Sequence, residues 1–540
     1  MLVVIVALLV VPVAAALICV RAPAAVAQAA TAASGIACFG LVLALVPAAS
    51  RRDLTYLSSY LRVDAISVVF LLATGFLYAC VAVYSVGYLA SGRHDPGFAR
   101  YSRRFYAGLN LFAWSMLAAP MMSSLALLWV AIEVTTVLSA LLIAIEDTDG
   151  AAEAAWKYVL IASAGLGLAL LATIFAYYAG AQVLGQSYNL AFGPLLHVAG
   201  QLPRAPVRLA FGLAVLGFGT KMGLFPVHTW LPDAHSEAPT PVSALLSGSL
   251  LAVSFYAILR YYQVAVATLG PRFPRNVLLV FGVASVLLAA LYLLEQRDYK
   301  RMLGYSSIEH MGILAIGVSF GAPLALAGVL LHVLAHAAAK GNAFMGAGVI
   351  VRKFSTKQVA AVSGGLDLLP WSGPFFLLSV LALGALPPFG IFRSEFEIVQ
   401  GGLRSGGNVA SVILVVLITV AFLGLAASIN RMLLMPRAAP VPRLVSAGGV
   451  GGPGSPVSRL PEPATAAGAA SAPGPASAPG PARAGSQAPE PPALTRGEPS
   501  AWMVVPVAAG LLALLVLGVH PPADLTQLLA RAVHLLTGAA

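Results

Sequence analysis

Residues 221–235 read KMGLFPVHTWLPDAH and interrupt a chain that is otherwise very apolar. These fifteen residues hold one lysine, two histidines, one aspartate and two prolines. Pro226 removes a backbone hydrogen-bond donor from a helix, and freed backbone at membrane depth is tolerated only where it is buried in protein or lines a wet cavity. We therefore expect this stretch to be a helix break that lines a cavity inside a membrane protein.

The composition supports a membrane location. Of 540 residues, 59% are hydrophobic and 9% are charged, against roughly 25% charged in soluble globular proteins. Apolar runs near the ~20 residues that cross a bilayer recur along the chain, as expected of transmembrane helices. The sequence predicts an all-α polytopic membrane protein of about fourteen transmembrane helices, the first being a retained helix and not a signal peptide. The predicted spans are 2–20, 29–49, 63–84, 104–121, 123–145, 155–180, 206–228, 240–263, 276–295, 302–320, 323–350, 371–400, 409–435 and 501–520.

A second helix break lies in LALGALPPFGIFRSEFEIVQ, where Pro387 and Pro388 precede a charged segment. Helices four to eight and nine to thirteen form two sets of five, and each break falls in the fourth helix of its set. Since five is odd, the sets enter the membrane from opposite sides, which is the inverted-repeat arrangement of secondary transporters. The predicted domains are 1–103 (helices one to three), 104–263 (first repeat), 276–435 (second repeat), 437–500 (a disordered Pro-, Ala- and Gly-rich linker) and 501–540 (helix fourteen and a tail).

Lysine is the informative basic residue, because only six of the 31 basic side chains are lysine. Arginine keeps its proton in proteins, whereas a buried lysine can release it. Lys221 and Lys340 fall deep in their spans, where an ionisable group is by default functional or paired. Lys157 lies near a helix start, where snorkelling to the interface is the alternative. Glu133 is the single charge of its span and needs a basic neighbour, either Lys157 or Lys221; a static ion pair is the alternative to a functional one.

The segment LLHVLAHAAAKGNAF places His332, His336 and Lys340 four residues apart along one helix. They form a stripe about 12 Å long on one face. Two histidines at this spacing also suit a metal ion, but the glutamate of an HExxH site is missing and a protonated Lys340 would repel a cation. The stripe therefore predicts half of a proton relay with water in its gaps.

Charge and cysteine placement argue against other functional classes. The net charge of +11 comes from loops and the linker, so it indicates no nucleic-acid partner. The three cysteines lie singly in apolar spans without CxxC spacing, which predicts no cofactor and no metal centre in this chain.

Connections after odd-numbered helices hold 18 basic residues and those after even-numbered helices hold 10, so both termini should face away from the cytoplasm.

Four motifs carry a resemblance to a known family: KMGLFPVHTWLPDAHSEAPTPVSALLSG, DYKRMLGYSSIEHMGILAIG, HVLAHAAAKGNAF and ALPPFGIFRSEF. They resemble the antiporter-like membrane subunits of respiratory complex I, group 4 membrane-bound hydrogenases and multisubunit sodium/proton antiporters, and look most like hydrogenase-4 component F. The resemblance covers roughly 60–435. It implies a fourteen-helix fold with two inverted repeats and a proton path along the middle of the membrane.

The resemblance also assigns residues. It implies that Glu133 is the fifth-helix glutamate, Lys221 the seventh-helix lysine, and Lys340 the eleventh-helix lysine of the family. The expected relay comprises Glu133, Lys157, Lys221, His228, His332, His336, Lys340 and Glu395, and the expected supporting residues are Asp233, His235, Glu309, His310 and Arg393.

Two features depart from the family pattern. Ala252 stands where many relatives carry a lysine or another polar residue, so the halves of the relay would need water, His332 or Ser247 between them. Arg393 lies two residues before Glu395 and could hold that acid permanently charged.

The resemblance implies a non-catalytic, proton-translocating subunit of a hydrogenase-4-like or NADH:quinone oxidoreductase-like complex in a prokaryotic cell membrane. Its partners would be other membrane subunits and a soluble redox arm that hold a nickel–iron centre or flavin, iron–sulfur clusters and a quinone site. The alternatives are a subunit of a Mrp-type sodium/proton antiporter and a membrane scaffold with a vestigial relay.

Overall fold

The computed structural model describes residues 1–57, 60–92, 96–435 and 495–538, so the predicted linker lies mostly outside the described residues. Within these ranges one hairpin, β1 (Leu54–Tyr56) with β2 (Leu61–Val63), interrupts an otherwise helical chain. The helices are α1 (Leu2–Arg21), α2 (Ala24–Ala49), α3 (Ala65–Tyr88), α4 (Phe98–Ala118), α5 (Leu125–Ile143), α6 (Asp149–Leu184), α7 (Phe192–His197), α8 (Arg204–Met222), α9 (Trp230–Glu237), α10 (Thr240–Leu245), α11 (Leu251–Leu269), α12 (Arg272–Leu293), α13 (Tyr299–Phe320), α14 (Pro323–Phe354), α15 (Gly365–Leu368), α16 (Ser372–Leu383), α17 (Gly390–Arg404), α18 (Asn408–Leu433), α19 (Ala501–Val519) and α20 (Ala523–Thr537).

The predicted fold class is confirmed. Within the described ranges, ten helical segments are long and apolar enough to cross a membrane, counting α10 and α11 with the π turn between them as one. The other four predicted spans are also helical and correspond to α4, α8, α13 and the pair α16–α17. The first three carry basic residues, which lower their hydropathy. The fourth is divided by the second break into helices of 12 and 15 residues. The boundaries of the two repeats stay a prediction.

Both predicted breaks divide a helix in two. α8 ends at Met222, Gly223 adopts a positive φ of 87°, and the chain passes a cis Phe225–Pro226 bond before α9 begins. α16 ends at Leu383, and a cis Pro387–Pro388 bond precedes α17. The predicted spans 206–228 and 371–400 are therefore each interrupted at their prolines, as the sequence predicted, because proline cannot donate the backbone hydrogen bond that a continuous helix needs.

Each broken helix packs closely against the long helix that precedes it. A Cβ atom on Gly217 of α8 would lie 2.5 Å from the Ala169 nitrogen and 2.7 Å from the Gly165 oxygen of α6. In the second set, a Cβ atom on Gly401 of α17 would lie 2.5 Å from the Ala325 nitrogen of α14. Glycine at these positions lets the backbones approach, as small residues do between membrane helices.

A π turn at 246–250 joins α10 to α11 without ending the helix, and all five of its residues are buried. Within the turn, the Ser249 hydroxyl lies 2.7 Å from the Thr74 hydroxyl of α3, and the Ser247 hydroxyl lies 2.7 Å from the Ser307 hydroxyl of α13. The turn therefore contacts helices on two sides through its own side chains.

The predicted tail after helix fourteen contains a helix, α20, which packs against the core. Arg531 forms an ion pair of 3.0 Å with Asp53 near the hairpin, and Gln263 of α11 donates a hydrogen bond to the Leu535 carbonyl.

Candidate functional site

Lys221 lies at the end of α8, directly before the first break, and is fully buried. Its amine donates hydrogen bonds to the Thr136 hydroxyl on α5, at 2.6 Å, and to the Tyr158 hydroxyl on α6. The Tyr158 hydroxyl lies 2.7 Å from that of Ser139, which donates to the Thr135 carbonyl, so Tyr158 donates to Ser139. We call Thr136, Ser139, Tyr158 and Lys221 the hydroxyl cluster. Its members other than Lys221 are neutral.

The first break is held next to this cluster by Trp230, the first residue of α9. The indole of Trp230 donates a hydrogen bond of 2.8 Å to the Thr220 carbonyl of α8, and its ring lies 4.6 Å from the Tyr158 ring. Rotation of α9 relative to α8 would therefore disturb the tyrosine that contacts Lys221.

Glu133 does not form the expected ion pair. Its Oε1 accepts a hydrogen bond of 3.4 Å from Ser163, and its Oε2 is buried without a hydrogen-bond partner. Across the described ranges, the ion pairs within 4.0 Å join other residues. The Lys221 amine is directed instead to Thr136, one turn further along α5 than Glu133. The structure thus places Glu133 beside the cluster and not in contact with a lysine.

Lys157 belongs to an exposed group of charges at the start of α6. It is 37% exposed, pairs with Glu153 on its own helix, and lies 3.8 Å from Asp233 of α9. Asp233 also pairs with Arg301 of α13 at 3.1 Å. The snorkelling alternative therefore describes the position of Lys157, and Asp233 joins α6, α9 and α13 at the surface.

The second site faces the stripe on α14. The buried Lys340 amine donates hydrogen bonds to the Leu303 carbonyl, at 2.9 Å, and to the Ser306 hydroxyl of α13. One turn further along α13, His310 approaches the other end of the stripe, with its Nδ1 3.0 Å from Nε2 of His332. We call Glu309, His310, His332, His336, Lys340 and Glu395 the imidazole cluster. It spans α13, α14 and α17.

The hydrogen bonds assign the tautomers of two of these histidines. Ser394 donates its hydroxyl proton to the Ile391 carbonyl at 2.8 Å, so it accepts from Nδ1 of His332 at 2.9 Å. Nε2 of His332 then accepts the Nδ1 proton of His310. This assignment rests on the network and not on observed hydrogens. It leaves Nε2 of His310, which is buried and unpartnered, as a lone pair that can take a proton.

Two further members of the imidazole cluster carry buried, unpartnered atoms. Both ring nitrogens of His336 lack a hydrogen-bond partner, and its ring lies 5.2 Å from that of His310. Oε2 of Glu309 is also unpartnered. Since buried polar groups are normally satisfied, several such atoms in one place indicate a functional site.

Glu395 lies at the end of the cluster, with Oε1 3.9 Å from Nδ1 of His310. Arg393 does not hold its charge, as one alternative expected, because Arg393 pairs with Glu397 at 3.0 Å. Glu395 also lines a cavity of about 340 Å³ between α16, α17 and α18, together with Phe392 and Phe396. This carboxyl group therefore has one side towards the histidines and one towards a cavity.

The segment after the first break reaches towards the second site. His235 of α9 is fully buried with both ring nitrogens unpartnered, and its ring lies 5.2 Å from Phe344 of α14. Lys300 of α13 donates to the Ser236 and Ala238 carbonyls at 2.9 and 2.6 Å. His228 is buried within the break itself, with its Nδ1 unpartnered.

Ser247 lies on the Lys340 side of the gap between the two clusters. Its hydroxyl contacts Ser307, whose neighbour Ser306 accepts from Lys340. Ala252 is buried in α11 and carries no group that can bind a proton.

Sequence reasoning missed Tyr158, Thr136 and Ser306, the hydroxyls that hold the two lysines. A tyrosine next to Lys157 in a helix is unremarkable by sequence. The identity of the residues opposite Lys221 depends on which helices lie next to each other.

The chain matches two family models. One model, described as "NADH:quinone oxidoreductase/Mrp antiporter, TM", matches residues 122–421. The other, described as "NADH-Ubiquinone oxidoreductase (complex I), chain 5 N-terminus", matches residues 55–102. A similar protein is the hydrogenase-4 component F homolog of Methylacidiphilum infernorum (isolate V4), 37% identical over 67% of this chain and 76% of that protein. Another is NADH-quinone oxidoreductase subunit N of Desulforudis audaxviator (strain MP104C), 32% identical over 66% of this chain and 69% of that protein.

A solved structure is similar in fold. A chain of the Mrp complex from Dietzia sp. DQ12-45-1b superimposes with a TM-score of 0.78 at 19% identity, covering 99% of this chain and 98% of that one. At this identity the likeness concerns the fold alone.

Proposed function

Because the chain belongs to the NADH:quinone oxidoreductase/Mrp antiporter family of membrane proteins, we propose that it translocates protons as a membrane subunit of a hydrogenase-4-like or NADH:quinone oxidoreductase-like complex. The observation that carries the proposal is the buried chain Ser394–His332–His310, with Lys340 on one side and Glu395 on the other. Ionisable groups at membrane depth mark proton pathways because their burial is otherwise costly.

The last transfer in this route runs from His310 to Glu395. A proton that binds Nε2 of His310 makes the ring an imidazolium with a second proton on Nδ1. Oε1 of Glu395 lies 3.9 Å from that nitrogen, so a ring movement of about 1 Å reaches hydrogen-bond distance. Glu395 takes the Nδ1 proton and releases it towards the cavity that it lines, leaving His310 neutral.

The charge of Lys340 controls when His310 takes up a proton. A protonated Lys340 next to the histidines disfavours a second positive charge, whereas a neutral Lys340 permits it. The lysine is held by neutral acceptors on α13, the Leu303 carbonyl and the Ser306 hydroxyl, so its charge is free to change without breaking an ion pair of its own.

Lys221 would play the same part in the first half. Its acceptors, Thr136 and Tyr158, are neutral, and Glu133 stands one turn away on α5. A small movement of α5 or α8 would bring Glu133 nearer and favour the charged lysine, or take it away and favour the neutral one. Lys221, Glu133, His228 and His235 form the first part of the proposed relay.

The energy must come from partner subunits. Moving one charge against 100 mV costs about 2.3 kcal/mol, and we assign no redox centre to this chain. We propose that partners hold the nickel–iron centre or flavin, the iron–sulfur clusters and the quinone site, in a soluble redox arm and neighbouring membrane subunits.

The test begins with purification of the full chain and its co-purifying subunits, identified by mass spectrometry and reconstituted into vesicles. Co-purifying redox subunits and proton uptake driven by their redox reaction support the proposal. Lys221→Ala should abolish the uptake, whereas Lys357→Ala, which removes a partly exposed lysine, should leave it unchanged. Proton movement that requires sodium and no redox subunit would instead establish the Mrp-type antiporter. If Lys221→Ala retains full uptake, the remaining hypothesis is that the chain is a membrane scaffold with a vestigial relay.

A further inference from the structure

Three ligand atoms from three helices converge at the end of the imidazole cluster. Nδ1 of His310 lies 3.0 Å from Nε2 of His332 and 3.9 Å from Oε1 of Glu395, and all three atoms lie within 4.8 Å of one another. Each residue is buried. We propose that His310, His332 and Glu395 form a binding site for one divalent transition-metal ion of the zinc class.

The donor set selects the class of ion. Two imidazole nitrogens and one carboxylate oxygen are ligands of zinc and its neighbours, whereas calcium and magnesium prefer all-oxygen sites. A tetrahedral ion with bonds of about 2.0–2.1 Å holds its donors about 3.3 Å apart. The two measured separations, 3.0 and 3.9 Å, lie on either side of that value. The third separation, between His332 and the Glu395 carboxylate, is at most 4.8 Å, so closing the site requires the Glu395 side chain to move towards His332.

The surroundings already orient one ligand. Ser394 accepts the Nδ1 proton of His332, which directs the Nε2 lone pair of this ring into the site. Such an outer hydrogen bond fixes the tautomer of metal-binding histidines. His310 presents Nδ1 once its proton moves to Nε2, an atom that is buried and has no competing partner.

The sequence raised two objections to a metal ion on the α14 stripe, the missing acid and the charge of Lys340. The acid missing from the α14 stripe is supplied by α17, as Glu395. Lys340 is engaged by Leu303 and Ser306 of α13. Ser306 lies four residues from His310, which is about 6 Å along the helix axis, so the ion requires the Lys340 amine to be neutral. His336, with both nitrogens unpartnered and its ring 5.2 Å from that of His310, stands near enough to become a fourth ligand after a side-chain rotation.

Glu395 is the ligand that also lines the cavity between α16, α17 and α18. Once bound, the ion occupies the lone pairs of His310 and His332 and the carboxylate of Glu395. Inhibition of proton transport by the ion rests on the proposed function, because these are the groups that would carry the proton. Binding itself does not depend on that function.

The test uses the full chain with its co-purifying subunits, carrying no polyhistidine tag and stripped of metal with a chelator. Zinc alone is titrated by equilibrium dialysis with elemental counting, and cobalt alone is followed by its visible absorption. The expected result is one ion per chain, with a zinc-edge X-ray absorption spectrum of nitrogen and oxygen ligands. His310→Gln and Glu395→Gln should each weaken binding at least tenfold. His197→Gln and His534→Gln, which remove exposed histidines, should not.

Each outcome of this test either supports or overturns the metal site. Equal binding by His310→Gln, Glu395→Gln and the wild type overturns the site, and so does equal weakening by the exposed-histidine controls. If His310→Gln does not fold, Glu395→Gln, which keeps side-chain size, decides alone. Zinc that binds at this site without slowing proton transport upholds the site and contradicts the proposed relay. Transport lost in Glu395→Gln with unchanged zinc binding upholds the relay and overturns the site.

Discussion

The two helix breaks share an architecture and differ in chemistry. At the first break, Lys221 is held by the neutral hydroxyls of Thr136 and Tyr158. At the second, three histidines and two carboxyl groups form the imidazole cluster together with Lys340, and Nδ1 of His310 lies 3.9 Å from Oε1 of Glu395. Hydroxyl groups orient a charge, whereas a neutral imidazole has one nitrogen that donates a proton and one that accepts a proton. The difference indicates that the first region orients and controls the charge of Lys221, whereas the second region offers several groups that can pass a proton on.

Removing the lysine of the second region should have a large effect, as removing Lys221 from the first region should. Lys340→Met leaves the histidines without the charge that controls their loading. Redox-driven proton uptake in vesicles should fall at least about tenfold, or ~1.4 kcal/mol on the limiting barrier. Lys357→Met, at a partly exposed ion pair with Glu237, is the matched control. Normal uptake by Lys340→Met would remove the distinction between the regions.

A methyl group between α6 and α8 should destabilise the first region. In Gly217→Ala the new Cβ meets the Ala169 nitrogen at 2.5 Å, so the helices must separate. Overpacking of this kind costs about 1–3 kcal/mol. Gly212→Ala, on the same helix with open space at its Cβ, is the control. The measurement is the half-life of monodisperse protein on heating in detergent, and equal half-lives for both variants would contradict the close packing of α6 and α8.

Removing one of the hydroxyl groups that accept hydrogen bonds from Lys221 tests whether these hydroxyls orient the lysine without carrying the proton themselves. Tyr158→Phe deletes one of two acceptors for the amine, a loss of about 0.5–1.5 kcal/mol that should slow proton uptake roughly two- to tenfold. Tyr178→Phe, on the exposed side of α6, should have no effect. An abolished uptake in Tyr158→Phe would mean that the hydroxyl itself carries the proton, which would contradict the assigned role.

The smallest effect should come from the second carboxyl group of α17. Glu397 pairs with Arg393 at 3.0 Å, and Arg393 is 38% exposed. An exposed pair of this kind contributes up to ~1 kcal/mol, so Glu397→Gln should keep uptake within about twofold of the wild type. Glu395→Gln, two residues away, should lose it. Equal losses in both variants would show that the position of Glu395 next to His310 has no special role.

The sequence predicted the elements of both regions because local chemistry decides them. Proline interrupts a helix, so Pro226 and the Pro387–Pro388 pair predict breaks. The spacing of His332, His336 and Lys340 places all three on one face of a helix. It did not predict partners across helices. Glu133 was expected to pair with a lysine, yet distances between helices are set by packing that a single sequence does not show.

One error could have been avoided from helix geometry. Residues two apart on a helix point in nearly opposite directions, whereas residues four apart are neighbours. Arg393 is therefore placed to pair with Glu397 and not with Glu395, as the structure shows. The tautomers of His310 and His332, in contrast, follow from Ser394 on a third helix and required the fold.

The π turn at 246–250 affects the angular position of α11 relative to α10. A π turn holds one residue more than an α-helical turn, so it offsets the angular register of α11 from that of α10 by about 100°. Deleting one residue there would keep every side chain of the pathway but swing Ser247 away from Ser307. The contact between the π turn and α13 thus depends on one extra backbone residue, and a change in length would break it without altering any ionisable group.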